Sequence, residues 1–408
     1  MTGAGQPAIL TLNAGSSSLK FSLFPFGNGT AIAGGQLESL GTAPRFVAKN
    51  GTGEKSHEEN WGEGRGPKHA GDALAVLLAW LKKTYPEIEV EAVGHRVVHG
   101  GIDFAAPVLV DDIVFEKLKA LEPLAPLHQP HNLAGIEGSR AAFPGTPQIA
   151  CFDTAFHRKH PFVNDVFALP RSYFEDGVRR YGFHGLSYEF IAGKLADMGI
   201  AGPETRVIVA HLGNGASMCA IKGGQSMGST MGFSALDGLP MGTRCGQIDP
   251  GVLLYLMDQR GMGPKEITNL LYKESGLLGL SGISHDMRTL EASDAPAAKE
   301  AIDYFVFRIK REMGAMAAVL GGLDAIVFTG GIGENSRRIR HEVSAGFQWL
   351  GIAFDETANA ANNDLISTPG SKIAVYRLST DEEAMIAHHT RNLVSNEPPK
   401  KAALKPHS

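Results

Sequence analysis

Three short runs of small residues are suited to gripping a phosphate. They are Asn13-Ala14-Gly15-Ser16-Ser17-Ser18, His211-Leu212-Gly213-Asn214-Gly215-Ala216-Ser217 and Gly330-Gly331-Ile332-Gly333-Glu334-Asn335. Small side chains let backbone N–H groups converge on an oxyanion. None of the runs is a GxxxxGKS/T P-loop, and none is a GxGxxG fingerprint between strand and helix. Taken singly, each reads as a tight turn. Three such loops bounded by strands, two of them repeating, make three unrelated tight turns the poorer reading. Charged residues stand nearby in the sequence pattern. Arg96 sits in a strand-like run between His95 and Val97, and Arg244 in the glycine-flanked loop Gly242-Thr243-Arg244-Cys245-Gly246. Local pattern alone makes the first an ion pair at the core's edge and the second a solvated charge. By the same standard His184 is a structural histidine, Asp153 a helix cap and Glu382 a first-turn acid. His95 with His99, and His157 with His160, have metal-pair spacing, but no HExxH accompanies them and zinc carries little weight.

The elements that must position these groups are legible in outline. Ala8–Leu12 and Leu19–Phe24 read as strands around the first loop, and Val207–Ala210 and Met218–Ile221 as strands around the second. Asn13 aligns with His211 and Gly15 with Gly213, which suggests two similar halves. Asp72 is placed to cap a helix running to about Tyr85. Gly41–His69 is polar and glycine-rich, an exposed hairpin or loop. Ala92–Val98 and Gln148–Phe152 read as strands. Glu122–Asn132 carries Pro123, Pro126 and Pro130, and is expected to be extended. Ala297–Leu320 has helical spacing with Gly321-Gly322 as its stop. Ala325–Phe328 is then a strand, Thr329–Asn335 a glycine loop and Ser336 the start of a helix. Lys372–Tyr376 is a last strand, and Thr380 with Glu383 forms a capping box for a final helix. The Pro- and Lys-rich tail, residues 396–408, reads as disordered. Strands and helices alternate, so the class is α/β.

Composition narrows the function classes. A length of 408 residues suits two or three domains. A net charge of −5 gives no reason to expect nucleic acid or an anionic membrane as partner. The sequence holds no run of about eighteen apolar residues that could span a bilayer, and the first seven residues lack the pattern of a secretory signal. Cys151, Cys219 and Cys245 are odd in number and widely spaced, which fits a reducing cytoplasm.

Several longer runs carry a resemblance. LTLNAGSSSLKFSLF from Leu10, GHRVVHGG from Gly94, FDTAFH from Phe152 and RRYGFHGLSYEF from Arg179 resemble the acetate kinase family. So do VIVAHLGNGAS from Val207, MGFSALDGLPMGTRCGQIDPG from Met231, VFTGGIGENS from Val327 and TDEEAMIA from Thr380. They follow the family's order over nearly the whole chain. The resemblance implies a duplicated actin-like ATPase fold (ribonuclease H-like), with two domains flanking an active-site cleft. Residues 1–150 would form the N-terminal domain, completed by a C-terminal helix at 383–395, and residues 151–382 the nucleotide-binding domain. It further implies reversible, direct in-line transfer of the ATP γ-phosphoryl to acetate, giving acetyl phosphate and ADP. Mg2+, or Mn2+ in its place, would assist, and the protein would be a cytoplasmic homodimer.

The resemblance also assigns residues. Asp153, His184 and Arg244 match catalytic positions, with Asp153 expected to orient magnesium-bound water or Arg244 rather than to act as a base. Arg96 matches the holder of the substrate carboxylate, and Val98, Leu127, Phe183 and Ala235 line the acid's methyl group. Ser18, Lys20, His211, Leu212, Gly213, Asn214, Gly215, Asp286, Met287, Arg288, Gly331, Ile332, Gly333, Glu334 and Asn335 match nucleotide contacts. Asn13 and Glu382 match the magnesium positions. Two departures stand out: Ala235 replaces a proline usual in the family, and the tail looks extra. The chemistry is coherent, because a carboxylic acid is ionised at neutral pH and needs no general base. It needs cations that let two anions approach. Alternatives are a propionate kinase of the same family, a kinase of the same fold acting on a hydroxyl, which would need a base, and an actin- or chaperone-like ATPase, for whose client domain little chain follows Glu382.

Overall fold

Apolar runs in the first half of the chain pair into one sheet, and those in the second half into another. The computed structural model describes residues 5–396. Its strands are β1 (Gln6–Ala14), β2 (Leu19–Pro25), β3 (Ala33–Glu38), β4 (Arg45–Asn50), β5 (Lys55–Asn60), β6 (Ile88–Val97), β7 (Val108–Leu109) and β8 (Gln148–Phe152) in the first sheet. The second sheet holds β9 (Arg206–Leu212), β10 (Ala216–Lys222), β11 (Gln225–Ser229), β12 (Ala325–Thr329) and β13 (Ala374–Arg377). The strand orders are β5-β4-β3-β2-β1-β6-β8-β7 and β11-β10-β9-β12-β13. Within the first order, β3-β2-β1-β6-β8 has the same sequence of senses as the whole second sheet: two antiparallel pairings, then two parallel ones. That is the duplication suggested by the short repeat. The hairpin turns differ by one residue, since Ala14 faces Leu19 across one and Leu212 faces Ala216 across the other.

The chain divides into two compact units, one of Met1–Ala155 together with the segment from Glu382 onward, the other of Phe156–Asp381. In the first, the helices Ala70–Thr84 and Gln129–Ala142 pack on each other and on the sheet, and helix Glu382–Asn396 lies against β1, β2, β6 and β8. Cover on both faces explains why β8 is buried at every residue and β1 along most of its length. In the second unit the helix Pro296–Leu320 runs against β9, β10 and β11. It starts on a proline, where the missing N–H is harmless, and stops at Gly321 in the left-handed conformation. Among the described residues no helix is long and apolar enough to cross a membrane.

Local expectations fail at three places, each for a physical reason. The helix expected to be capped by Asp72 begins at Ala70. His69 is its N-cap, accepting from the Asp72 N–H at 3.4 Å, while the Asp72 carboxylate takes the Lys68 N–H. Glu122–Asn132 is not extended throughout: Glu122–Leu124 is a 3-10 turn, and Pro130 sits in the first turn of Gln129–Ala142, where proline is tolerated. The glycine loop after β12 is a short helix, Gly330–Asn335, followed by Arg337–Ala345, which Ser336 caps. Of the tail expected at 396–408, Asn396 is the last residue of helix Glu382–Asn396, and residues 397–408 lie outside the described residues. The polar segment at 41–69 does contain a hairpin, β4 and β5, at the sheet's edge. The last helix starts at Glu382, and the Thr380 hydroxyl donates to the Ser187 carbonyl at 3.5 Å.

Candidate active site

In the first unit, the parallel pairing of β6 and β8 sets Arg96 opposite Cys151, so Asp153, just beyond β8, comes within its reach. Arg96 Nε donates to Asp153 Oδ1 at 2.9 Å and Nη2 to Oδ2 at 2.7 Å. This is a bidentate fork, and it engages both oxygens of a carboxylate that is 1% exposed. Arg96 Nη1 lies 3.7 Å from Glu382 Oε2. Burial pushes the Asp153 carboxyl above its ordinary range, Arg96 pulls it back, and Glu382 pushes it up again. Burial works against the Arg96 charge, but Asp153 and Glu382 outweigh it and hold the guanidinium above its usual value. The partner the structure gives Asp153 is thus Arg96.

Asn13 is the last residue but one of β1, and Glu382 opens the helix that packs on β1. Both offer oxygen, one amide and one carboxylate. That donor set suits a magnesium ion, which keeps several waters and asks for few protein ligands. Among the described residues no group of three or more His, Cys, Asp or Glu side chains gathers as a metal cage. His95 is buried and bonded to Gln148 at 2.8 Å, with burial lowering its pKa to about 4, and His99 Nδ1 accepts the Gly101 N–H. Ser18 closes the first hairpin through its carbonyl, which accepts the Gly15 N–H at 2.8 Å, and Lys20 projects exposed from β2. Val98 is buried at the end of the Arg96 strand, whereas Leu127 is 37% exposed.

The second unit gathers most of the remaining candidates. β9 and β12 are parallel neighbours, with Thr329 beside His211, so the hairpin loop and the Gly330–Asn335 turn emerge from the same end of the two strands. Gly330 has φ of +76°, and a Cβ there would stand 2.8 Å from the Leu212 carbonyl oxygen, so only glycine fits this close approach. The Gly242 N–H donates to the Asn214 carbonyl at 3.2 Å, and a Cβ on Gly242 would collide with the Asn214 side chain and lie 3.2 Å from the His285 carbonyl. Segments 211–215, 241–242, 285–288 and 330–335 therefore converge. Asp286 caps helix Met287–Glu291 and grips Arg288, and those hydrogen bonds lower its pKa to about 2. Met287 is buried and Arg288 exposed.

His184 takes φ of +57°, a left-handed conformation uncommon outside glycine, at the start of helix Gly185–Asp197. Its Nδ1 meets Ser217 Oγ at 2.7 Å, its ring stacks on His211 at 4.3 Å, and Nε2 lies on the Gly215 side. Ser217 also bonds the Tyr188 hydroxyl, and His211 Nδ1 bonds Ser187 Oγ at 2.8 Å. Arg244 Nη1 donates to the Ala235 carbonyl at 3.1 Å, which ties the arginine to the position where proline was expected. Phe183 is buried, and its carbonyl accepts from His157 Nε2 at 2.9 Å.

A profile of the acetokinase family matches residues 8–388. The chain belongs to the acetokinase family. It is accordingly a kinase, with the duplicated actin-like fold. An acetate kinase of Methylocella silvestris is 57% identical over 395 residues, covering 95% of this chain and 98% of that one. Among solved structures, Porphyromonas gingivalis acetate kinase matches with a TM-score of 0.84 at 39% identity, covering 95% of this chain and 100% of the other. A propionate kinase from Francisella tularensis gives a TM-score of 0.87 at 37% identity, with coverages of 95% and 99%.

Two positions in this member of the family carry no mark in the sequence. Asn132 is 3% exposed, and its amide donates to the Ala14 carbonyl at 2.8 Å while its Oδ1 accepts the Val98 N–H at 3.0 Å. It ties the root of the loop after β1 to the end of the Arg96 strand. An uncharged amide in a proline-rich stretch gives no signal of that. His157, noted only for its spacing to His160, is buried, with Nδ1 on Ser226 Oγ and Nε2 on the Phe183 carbonyl, and burial drives its pKa well down. It is a neutral support for the His184 turn and not half of a metal pair.

Proposed function

We propose that this protein is an acetate kinase that transfers the γ-phosphoryl group of ATP to acetate with Mg2+ as the assisting ion. The observation that carries the choice of a carboxylic acid is the state of Arg96. Two of its five N–H donors are engaged by Asp153, which presets the plane of the guanidinium, and its Nη1 edge makes no hydrogen bond among the described residues, standing 3.7 Å from Glu382 Oε2 as an ion pair. A planar cationic fork is the side chain suited to a substrate carboxylate. A hydroxyl acceptor would call instead for a base, and Asp153 is bound through both oxygens.

In the reaction a carboxylate oxygen of acetate forms the new bond to the γ-phosphorus while the bond to the β,γ-bridging oxygen breaks, leaving ADP. No proton has to move, because acetate is already the anion. Arg96 binds and orients the acid, and Asp153 holds Arg96 in register. Arg244 offers a second cation to the charge that builds on the transferring group, and His184 a ring N–H donor whose orientation Ser217 sets. Val98, Leu127, Phe183 and Ala235 contact the methyl group. The 211–215, 286–288 and 331–335 segments, with Ser18 and Lys20, hold the nucleotide. Asn13 and Glu382 would hold Mg2+, which when bound neutralises phosphate charge.

We also propose a cytoplasmic homodimer. Helix Pro250–Arg260 buries none of its residues, although Val252, Leu254, Tyr255 and Met257 are all at least 40% exposed. Exposed apolar side chains spread around a helix in this way are covered most simply by a second copy.

The function is tested with ATP, Mg2+ and a panel of acetate, propionate and butyrate in hydroxylamine, which traps acyl phosphates as coloured hydroxamates. Hydroxamate from acetate is expected. ADP release without hydroxamate, equal with and without acid, would replace this reading with that of an ATPase. A higher kcat/KM for propionate would replace acetate as the substrate.

A further inference from the structure

Arg340, on helix Arg337–Ala345, is 0% exposed and among the largest fully buried side chains. A buried arginine ordinarily faces a carboxylate. Among the described residues none pairs with this one. Burial, with Arg377 and Arg337 adding like charge, lowers its pKa to about 10. What it has is a neutral oxygen for every N–H. Nε donates to Asn359 Oδ1 at 2.7 Å, and Nη1 to the Gly333 and Glu334 carbonyls at 3.0 and 2.7 Å. Nη2 donates to the Asn359 carbonyl at 3.3 Å and to Asn362 Oδ1 at 2.7 Å. Five donors meet five acceptors. Burying an uncompensated cation is unfavourable for stability, so geometry must explain its presence.

Two of those acceptors supply the explanation. Gly333 and Glu334 end the short helix Gly330–Asn335, whose last carbonyls have no partner within it. A cation favours that end, and only the guanidinium fork spans two adjacent carbonyls while also reaching a second segment. That segment is 359–362, where Asn359 Nδ2 donates to the Arg337 carbonyl at 3.1 Å and Asn362 holds φ of +55°. Inside the turn, the Gly330 N–H donates to Glu334 Oε1 and the Asn335 amide to the Gly331 carbonyl. We propose that Arg340 is a positioning residue for the nucleotide: it clamps the carbonyl end of the Gly330–Asn335 turn to segment 359–362, so that the turn is already ordered when ATP arrives. This rests on the reading of that turn as a nucleotide contact. Without the clamp, binding must order the turn and becomes weaker.

The test compares wild type, Arg340→Lys and Asn362→Gly. Lysine keeps the charge but cannot fill five acceptors. Glycine at 362 keeps the positive φ and removes one acceptor, so it folds even if the lysine variant does not. KM for ATP, and ADP affinity by calorimetry without acid, are expected to weaken about tenfold in Arg340→Lys, in line with ordering one or two residues, while KM for acetate stays within about twofold. Asn362→Gly should shift nucleotide affinity in the same direction by roughly threefold. Unchanged ADP affinity in both variants overturns the proposal. So does a fall in kcat with both KM values unchanged, the mark of a smaller active fraction, or an equal rise in both KM values. If wild type binds ADP but forms no acyl phosphate, the functional reading falls while the calorimetry still decides the role of Arg340.

Discussion

Arg96→Ala separates structure from catalysis at one position. Asp153 is 1% exposed and both its oxygens rest on Arg96, at 2.9 and 2.7 Å. Deleting the guanidinium strands a buried carboxylate, and breaking such a pair from one side costs about 3–5 kcal/mol. The sign of the pH dependence follows from the direction of the Asp153 shift. Burial already raises its folded-state value, and loss of Arg96 raises it further. An acid with a raised folded value binds its proton more tightly when folded, so the variant is relatively stable below that value and loses stability as pH rises through it. The Arg96→Ala penalty should therefore shrink as pH falls from about 8 toward 5. Adding Asp153→Asn removes the buried charge and should restore roughly 2 kcal/mol at neutral pH, with no recovery of activity. Arg96→Lys should regain some stability and little turnover, because a point charge cannot reproduce the fork. Urea titrations of wild type, both single variants and the double variant across that pH range give the coupling energy. The hydroxamate assay should show losses near 10³, the lower part of what cationic stabilisation of phosphoryl transfer contributes, about 10³–10⁵. If Arg96→Ala unfolds at the wild-type midpoint, or the double variant is no more stable than the single, the two residues are not a coupled buried pair and the reasoning fails.

Other perturbations test the rest of the site. Excess EDTA should abolish acyl phosphate formation, and Glu382→Ala should raise the Mg2+ requirement more than the acetate requirement; full turnover in EDTA removes the metal from the mechanism. Ala235→Pro should lower the propionate-to-acetate ratio of kcat/KM, since one methylene in an apolar pocket is worth about 1–3 kcal/mol. It should also disturb Arg244, whose Nη1 rests on the Ala235 carbonyl; an unchanged ratio removes Ala235 from specificity. Gly330→Ala meets both a positive φ and the Leu212 carbonyl at 2.8 Å, and should destabilise by about 1–3 kcal/mol or more in urea while weakening ATP binding. Wild-type affinity and midpoint together would mean that the turn relaxes freely.

Local patterns carried the repeat, most strands and the long helix, because dihedral preference and side-chain period act over a few residues. Asn13-Ala14-Gly15 and His211-Leu212-Gly213 could be aligned by eye, and the strands around them pair in matching order. The same local rules misjudged Pro130, since proline disfavours a helix interior but not its first turn. They also could not tell whether Gly330–Asn335 would be a loop or a helical turn, because glycine permits both. Motif resemblance named Arg96 and Asp153 separately. Their partnership, across 57 residues, exists only because β6 and β8 run parallel in one register. Asn132 bonds across 118 residues to Ala14, and Arg340 reaches both Gly333 and Asn362, with nothing in their own neighbourhoods to mark them. Sequence spacing sets what a residue can do to its neighbours along the chain. Strand order and register decide which distant groups share a hydrogen bond, and so which buried polar atoms are satisfied.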